Sequence, residues 1–276
     1  GAEIGSSEIH FVPGKPRGGT YKFAIGSAGS ATLVLQTILP ALMLAKESSC
    51  VTIEGGTHNP WAPPVDYLEK VFLPILQRMG PTVTIDLKRC GFYPAGGGCL
   101  QVNIEPVDKL ERIDLLERGQ IHERKATALV ACLPESIGHR EIKIVKEKFD
   151  MDRLDVSVKQ VTSSGPGNVL FVEFICDHVT ELITSFGKRG ISAETVAKDA
   201  VKDARRYIAS GTPVGPYLAD QLLIPMALAG GGSFRTCTPT KHTVTNIDVV
   251  KHFLDIGIGI QQVDEQAWHV EIGSKP

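Results

Sequence analysis

The sequence predicts an α+β fold: repeated helix–sheet units, βαβαββ-like, forming a large domain, with a smaller inserted α/β domain. Three observations predict it. Two stretches resemble each other, LVLQTILPALMLAKESSCVTIEGGTHNP ending at Pro60 and LADQLLIPMALAGGGSFRTCTPTKHTVTN ending at Asn246. Both place a glutamine four residues before a proline inside an apolar helical run, Gln36 with Pro40 and Gln221 with Pro225. Each copy then runs into a polar, Gly-rich turn, a β-like segment, a further helix and two alternating strands. The segment between the copies has a different pattern. The expected division is 1–118 for the first part of the large domain (the end of one repeat plus a full repeat), 119–186 for the small inserted α/β domain, and 187–276 for the last repeat.

The elements follow in order. Ala31 to Ala45 is the most apolar run; it is shorter than the roughly 20 residues of a membrane span, and it carries Gln36 and Pro40, so it reads as a buried helix. DYLEKVFLPILQRMG has apolar residues at helical spacing and stops at Gly80, and NIDVVKHFLDIG is read as stopping the same way at Gly257. TVTIDL and CLQVNIEP alternate as strands after the first, IGIQQV and AWHVEIG after the second. Between the copies, KATALVACLP reads as a strand and ESIGHREIKIVKEKF as an amphipathic helix with a basic outer face. LDVSVKQV and NVLFVEFI are strands joined by the turn SSGPGN. SAETVAKDAVKDARRYIA is an amphipathic helix capped by Ser192 that returns the chain to the second copy.

Composition narrows the function. The 276 residues carry a net charge of −2, 42% apolar residues and a mean hydropathy of +0.03, which excludes a disordered or fibrous chain. A nucleic-acid partner has to be held at a local basic site, such as a pocket for one chain end. Six cysteines include no C-x-x-C pair and no zinc spacing, so they read as reduced thiols of a cytoplasmic protein. No membrane partner and no signal peptide are expected. The sequence starts at Gly1 without a methionine.

Several residues can carry chemistry, each with a plainer alternative. Asp220 and Gln221 are the polar residues of YLADQLLIPMALA, which follows the turn TPVGP; a helix start there binds phosphate, while Asp220 also suits a first-turn cap. Tyr217 suits a base or the core. Gln36, an amide in an apolar run, needs partners that a nucleotide or a neighbouring backbone supplies equally well. FAIGSAGSATL is a phosphate cradle or a flexible turn, and matches neither the Walker nor the dinucleotide pattern. Pro63 and Pro64 offer flat apolar faces to a ring, or begin a helix. In RCGFYPAGGGCLQV, three consecutive glycines require positive φ or close backbone approach, which a tight hairpin also explains.

His242, within TPTKHTVTN, has no metal-ligand partner at i+4 and no G-x-S-x-G serine to serve. As a nucleophile it needs a neutral imidazole oriented by a second group, for which Thr240, Thr243 and Thr245 are at hand, with Lys241 near a phosphate. A lone histidine more often caps or packs, and spacing alone favours that.

GFYPAGGG, Gly91 to Gly98, resembles the signature of RNA 3′-terminal phosphate cyclases. FAIGSAGS, GGTHNPWAPP, VGPYLADQLLIPMALAGGG and HTVTN resemble bacterial members in order and spacing, through essentially the whole chain. The resemblance implies repeated helix–sheet units with a small α/β domain inserted before the last. It also implies a reaction in which ATP adenylates a histidine, AMP passes to an RNA 3′-phosphate, and the adjacent 2′-hydroxyl closes a 2′,3′-cyclic phosphate. The adenylated histidine falls on His242. The ATP contacts fall on Gln36, Tyr217, Leu218, Ala219, Asp220 and Gln221, with Pro64 against the adenine. ATP, a divalent metal (Mg or Mn) and RNA 3′-phosphate ends are the implied cofactors and partners, and a homodimer stands as an option. No metal ligand is assigned in this chain.

Two departures accompany the resemblance. Relatives carry another N-terminal repeat, with a Gly-rich, glutamate-containing motif and arginines for the RNA end; it has no match here, so the chain is expected to begin at its tail. The residue before Gly91, usually basic, is Cys90. His58 falls opposite His242 through the repeat and is read as non-catalytic. Two other readings compete. A non-catalytic cyclase-like RNA or ribosome-assembly protein lacks the nucleophilic histidine, so His242 counts against it. An enolpyruvyl transferase needs a basic cleft whose motif is missing.

Overall fold

Side chains alternate between buried and half-buried along Ser49–Gly55, the pattern of a strand with one face on a core. In the computed structural model, which describes residues 3, 5–149 and 154–273, this strand is central to the first unit. That unit runs β1 (Gly19–Ala24), α1 (Ala31–Leu42), β2 (Ser49–Gly55), α2 (Val65–Tyr67), a π-helical turn (Leu68–Phe72), α3 (Leu73–Arg78), β3 (Thr82–Arg89) and β4 (Gly98–Glu105). The sheet order is β1-β2-β4-β3, with β1 parallel to β2 and the other pairs antiparallel. Ser30 caps α1, its hydroxyl accepting the Leu33 N–H at 3.1 Å.

β5 (Asp114–Leu115) comes next, and the inserted unit follows it. This runs β6 (Ile121–Ala131), α4 (Ser136–Phe149), β7 (Leu154–Gln160), β8 (Gly167–Cys176), β9 (Thr180–Phe186) and α5 (Ala193–Ser210), with sheet order β7-β6-β8-β9. The chain then continues as α6 (Pro216–Leu228), β10 (Gly232–Thr236), α7 (Lys241–Phe253), β11 (Gly257–Gln262) and β12 (Trp268–Gly273). β5 lies parallel to β10, and β10, β12 and β11 pair antiparallel in that order. The second sheet therefore reads β5-β10-β12-β11, matching the first in order and in the sense of every pairing. The α+β repeat with an inserted unit is the observed architecture.

Details differ from the sequence expectation. β1 pairs with β2, so Gly19–Ala24 opens the first unit rather than closing an earlier one. β5 belongs to the last unit although it precedes the insertion. Ser192 does cap α5, its hydroxyl accepting the Thr195 N–H, but the buried face of α5 packs on α4, β8 and β9. The chain rejoins the last repeat after Ser210, not at 187. Sequence pattern does not reveal β9, because TELITSF mixes polar residues at both faces of its alternation. No described helix is long and apolar enough to cross a membrane.

The glycine-rich signature is a docking loop. Gly96 and Gly97 have φ of +66° and +71°, a region that L side chains rarely adopt. A Cβ at Gly97 would lie 2.4 Å from Ser164 Oγ, in the turn between β7 and β8. Across the same joint, a Cβ at Gly167 would lie 2.0 Å from the Phe92 ring. Behind it, Thr57 Oγ1 accepts the Gly91 N–H at 2.9 Å and also meets His58 Nδ1 at 2.9 Å. His58 Nε2 then pairs with Asp66 Oδ2 at 2.9 Å, and the His58 ring stacks on Phe92. His58 is thus a buried clamp for the loop.

A second joint lies under α6. A Cβ on Gly215, its N-cap residue, would sit 2.2 Å from Glu181 Oε2 of β9. Burial pushes the Glu181 carboxyl up to about 7, against the lowering pull of the Leu182 and Gly215 amides. The folded state therefore holds this proton at a pH where the unfolded chain has lost it. Stability contributed here is complete below the unfolded value near 4.5 and is lost as pH rises through about 7. Buried Glu141 is raised to about 7 in the same way and adds to the slope. Thermal unfolding at a series of pH values between 4.5 and 7.5 should show a falling midpoint, and Glu181→Gln should flatten it. An unchanged slope in that variant would place the titration elsewhere.

Candidate functional site

The two matched helices face one cleft. α1 contributes Gln36, Leu39, Pro40 and Met43, and α6 contributes Asp220, Gln221, Ile224 and Pro225. Both Gln–Pro pairs of the repeat thus line the same space, which explains why an amide and a proline recur at that spacing in helices otherwise buried. Phe72 and Leu76 close it from the π-helical turn and α3, and Asn246 reaches in from α7. The cleft holds about 150 Å³. That is below the roughly 300–1,000 Å³ of an enclosing ligand pocket, so a nucleotide seated there extends past the rim.

Polar chemistry in the cleft is only partly satisfied. Gln221 Oε1 is buried with no hydrogen-bond partner among the described residues. Such an atom costs on the order of 1–3 kcal/mol unless a donor reaches it. Gln36 also has no partner among the described residues. Asp220 is held in place: Asn246 Nδ2 donates to its Oδ1 at 3.0 Å and to its backbone carbonyl at 3.2 Å. Sequence reasoning does not single out Asn246. A signal exists, since it lies four residues after His242, one helical turn away on the same face.

The helix expected from Asn246 begins at Lys241, so His242 is helical and does not lie in a turn ahead of it. α7 begins at Lys241, and Thr240 is its N-cap, its hydroxyl accepting the Thr243 N–H at 3.2 Å. The Thr240 and Thr243 hydroxyls bond each other at 3.1 Å, so both serve the cap and do not orient the imidazole. The Thr-x-x-Thr cap and the buried face of Thr243, Ile247 and Val250 outweigh the β-branched run. At the other end α7 stops at Phe253, before Gly257 begins β11. His242 sits in the first turn, exposed, with no hydrogen bond among the described residues. It lies about 6 Å along the axis from Asn246. The free N–H groups and positive dipole end of α7 surround it.

The remaining positions divide. Tyr217, one turn before Gln221, is 66% exposed and free to receive a ring. Leu218 and Ala219 are fully buried, which leaves their side chains to the core. Pro64 is buried as the N-cap residue of α2 and does not line the cleft. The structure thus brings Gln36, Asp220 and Gln221 together, sets Tyr217 and His242 on the adjoining helix starts, and keeps Pro64 apart. His58, opposite His242 in the sequence repeat, lies before its helix and not in it. Among the described residues no group of three or more His, Cys, Asp or Glu gathers as a metal site.

Comparison with known proteins gives the family. The family model described as RNA 3′-terminal phosphate cyclase matches residues 1–260. Proteins of that name are similar along nearly the whole chain. The one from Koribacter versatilis is 47% identical over 268 residues, 97% of this chain and 76% of that protein. The one from Pseudomonas fluorescens is 48% identical over 272 residues, 98% of this chain and 79% of that protein. The one from Ectopseudomonas mendocina is 47% identical over 276 residues, 99% and 80%. With a matched repeat, a cleft built by both copies and this similarity over its length, the chain belongs to the RNA 3′-terminal phosphate cyclase family.

Proposed function

We propose that this chain uses ATP to convert an RNA 3′-terminal phosphate into a 2′,3′-cyclic phosphate, with His242 taking AMP beside the α1–α6 cleft. The observation that carries the site assignment is the unpartnered Gln221 Oε1 in a cleft shared by both repeats, next to a helix start that bears an exposed histidine.

The chemistry follows from the groups present. A neutral His242 nitrogen attacks the α-phosphorus of ATP; the P–O bond to pyrophosphate breaks, and a P–N bond forms. An oxygen of the RNA 3′-phosphate then attacks the same phosphorus, and the imidazole leaves with the P–N pair. Finally the 2′-hydroxyl attacks the 3′-phosphorus, its proton passes to solvent, and AMP departs. Each step develops charge on equatorial phosphoryl oxygens, and the N–H groups at the start of α7, with Lys241, are placed to receive it. Gln221 and Gln36 supply acceptors and donors for a base edge or ribose in the cleft, and Tyr217 a ring face at its rim.

A divalent metal would neutralise phosphate charge and orient the leaving group. The donor set fits an ion held mainly by substrate phosphates with one carboxylate, that of Asp220, and does not fit a protein cage. Six free thiols and a dependence on ATP suit a reducing cytoplasm.

Incubation with metal and α-labelled ATP, followed by alkaline and acid quenches, should give an acid-labile adduct that His242→Ala abolishes. Equal labelling of the variant would sink the assignment. Asn246→Ala frees Asp220 and displaces α7 relative to the cleft. It should slow adduct formation on the order of 10- to 100-fold, since misplacement of about 1 Å costs that much. Thr240→Ala should lower stability by about 1 kcal/mol through loss of the cap, measured by urea unfolding.

A further inference from the structure

A second and larger cavity, about 750 Å³, opens where the signature loop docks on the inserted unit. Nothing in the cyclase reaction described above uses it. Its volume is in the range that encloses a small organic ligand. Three features say what kind of ligand.

Two of its walls are exposed aromatics. Trp61 is 68% exposed and Tyr93 51%, and their rings meet edge to face with centroids 5.0 Å apart. An edge-to-face pair leaves ring faces open. Large rings held out in solvent beside a cavity are unusual in a chain with only two tryptophans, and a flat ring is what they complement. The lining also includes Lys188 and Arg189, both exposed and neither in an ion pair among the described residues. They are cations without a protein counter-charge. The floor is polar and buried. Glu141 is fully buried, its Oε2 accepts from Asn168 Nδ2 at 3.0 Å, and its Oε1 has no partner among the described residues. That oxygen lacks a donor, which the ring N–H or exocyclic amine of a base reaching the floor would supply.

We propose that this cavity is a nucleotide site, with the base flat on Trp61 and edge-on to Tyr93, its edge toward Glu141 and its phosphate on Lys188 and Arg189. A flat ring, a hydrogen-bonding edge and an anion at one end are the three parts of a nucleotide, and the cavity presents one complement to each. Two sources share that chemistry: a nucleotide unit of a single-stranded RNA, or a free nucleoside monophosphate. The RNA source rests on the cyclase reading; the cavity itself does not.

The test uses the chain with Trp268→Phe, which leaves Trp61 as the only tryptophan. A short single-stranded oligoribonucleotide ending in a 3′-hydroxyl cannot be cyclised, so binding is read without turnover. Titration with it should quench Trp61 fluorescence saturably. Lys188→Ala with Arg189→Ala should reduce the slope of log affinity against log salt by about 0.7, the amount for the one phosphate of a single strand that the two cations neutralise together. Tyr93→Ala should weaken binding roughly two- to tenfold, because it removes the edge-to-face partner that holds Trp61. A nucleoside monophosphate that quenches as tightly as the oligomer identifies the free nucleotide as the ligand; a much weaker one identifies the RNA strand. No saturable quench with either, or a salt slope unchanged by removing both cations, overturns the proposal. AMP labelling of the same chain with ATP and no RNA reports on the cyclase reading separately, so the two can fail independently.

Discussion

No side chain fits between Gly215 and Glu181. A Cβ on that glycine would lie 2.2 Å from the carboxylate oxygen, and this close approach sets where α6 begins. The part of the candidate site carried by α6 and α7 follows from that start. α6 carries Tyr217 on its exposed first turn and Asp220 and Gln221 on its cleft face. Asp220 in turn holds Asn246, and Asn246 fixes α7, whose first turn bears His242. Glu181 comes from the inserted sheet, so the insertion is part of how the last repeat positions its histidine. A carboxyl is a costly group to bury, and burial pushes this one up to about 7, so it holds its proton in mildly acidic solution where a free carboxyl is ionised. That is consistent with a positioning contact and not with charge chemistry.

The signature loop imposes the same kind of constraint at the other joint. Gly167 leaves room for the Phe92 ring, and Gly97 leaves room for Ser164. His58 backs the ring and is itself tied to Thr57 and Asp66. Lys70, on the π-helical turn, adds an ion pair to Glu173 of the inserted sheet. The inserted unit is thus gripped by loops of the first repeat and by the start of α6. The loop side of this joint borders the larger cavity, whereas the α1–α6 cleft is lined by the two repeats alone. A π-turn widens the helix by one residue, which lets Lys70 reach the insertion while Phe72 faces the cleft.

How much of this the sequence contained depends on the scale of the interaction. The repeat was legible because Gln36–Pro40 and Gln221–Pro225 break an apolar pattern at equal spacing, and local patterns survive in one dimension. Ser192 was legible as a cap for the same reason. The α7 start was not. Thr240 bonds Thr243 across three residues, a local signal, yet the apolar helical spacing of NIDVVKHFLDIG begins only at Asn246, and the burial of Thr243 that extends the helix face is a tertiary fact. β5 is two residues long and pairs with a strand that follows it by more than a hundred positions. No local pattern announces such a partner. The glycines of the signature do demand close approach, as their run suggests, but what approaches, Ser164 and the turn around Gly167, lies in another unit. Asn246 stays hidden because its role is a contact with Asp220 and not a property of its own neighbourhood.

The repeat also shows how a symmetric frame yields an asymmetric site. α1 and α6 enter the cleft with the same Gln–Pro device, so the frame alone offers two equivalent halves. The histidines break the equivalence. His58 precedes its helix, is buried against Phe92 and has both ring nitrogens engaged. It has no nitrogen to spare for an electrophile. His242 lies inside the first turn of its helix, exposed and unengaged among the described residues, where the backbone amides favour an anion. The difference comes from where the helix starts. α7 begins at Lys241 because Thr240 caps it, whereas α2 begins only at Val65 behind Pro64. In the first copy the helix starts behind Pro64, and His58, which precedes it, is held in the core by Thr57, Asp66 and Phe92.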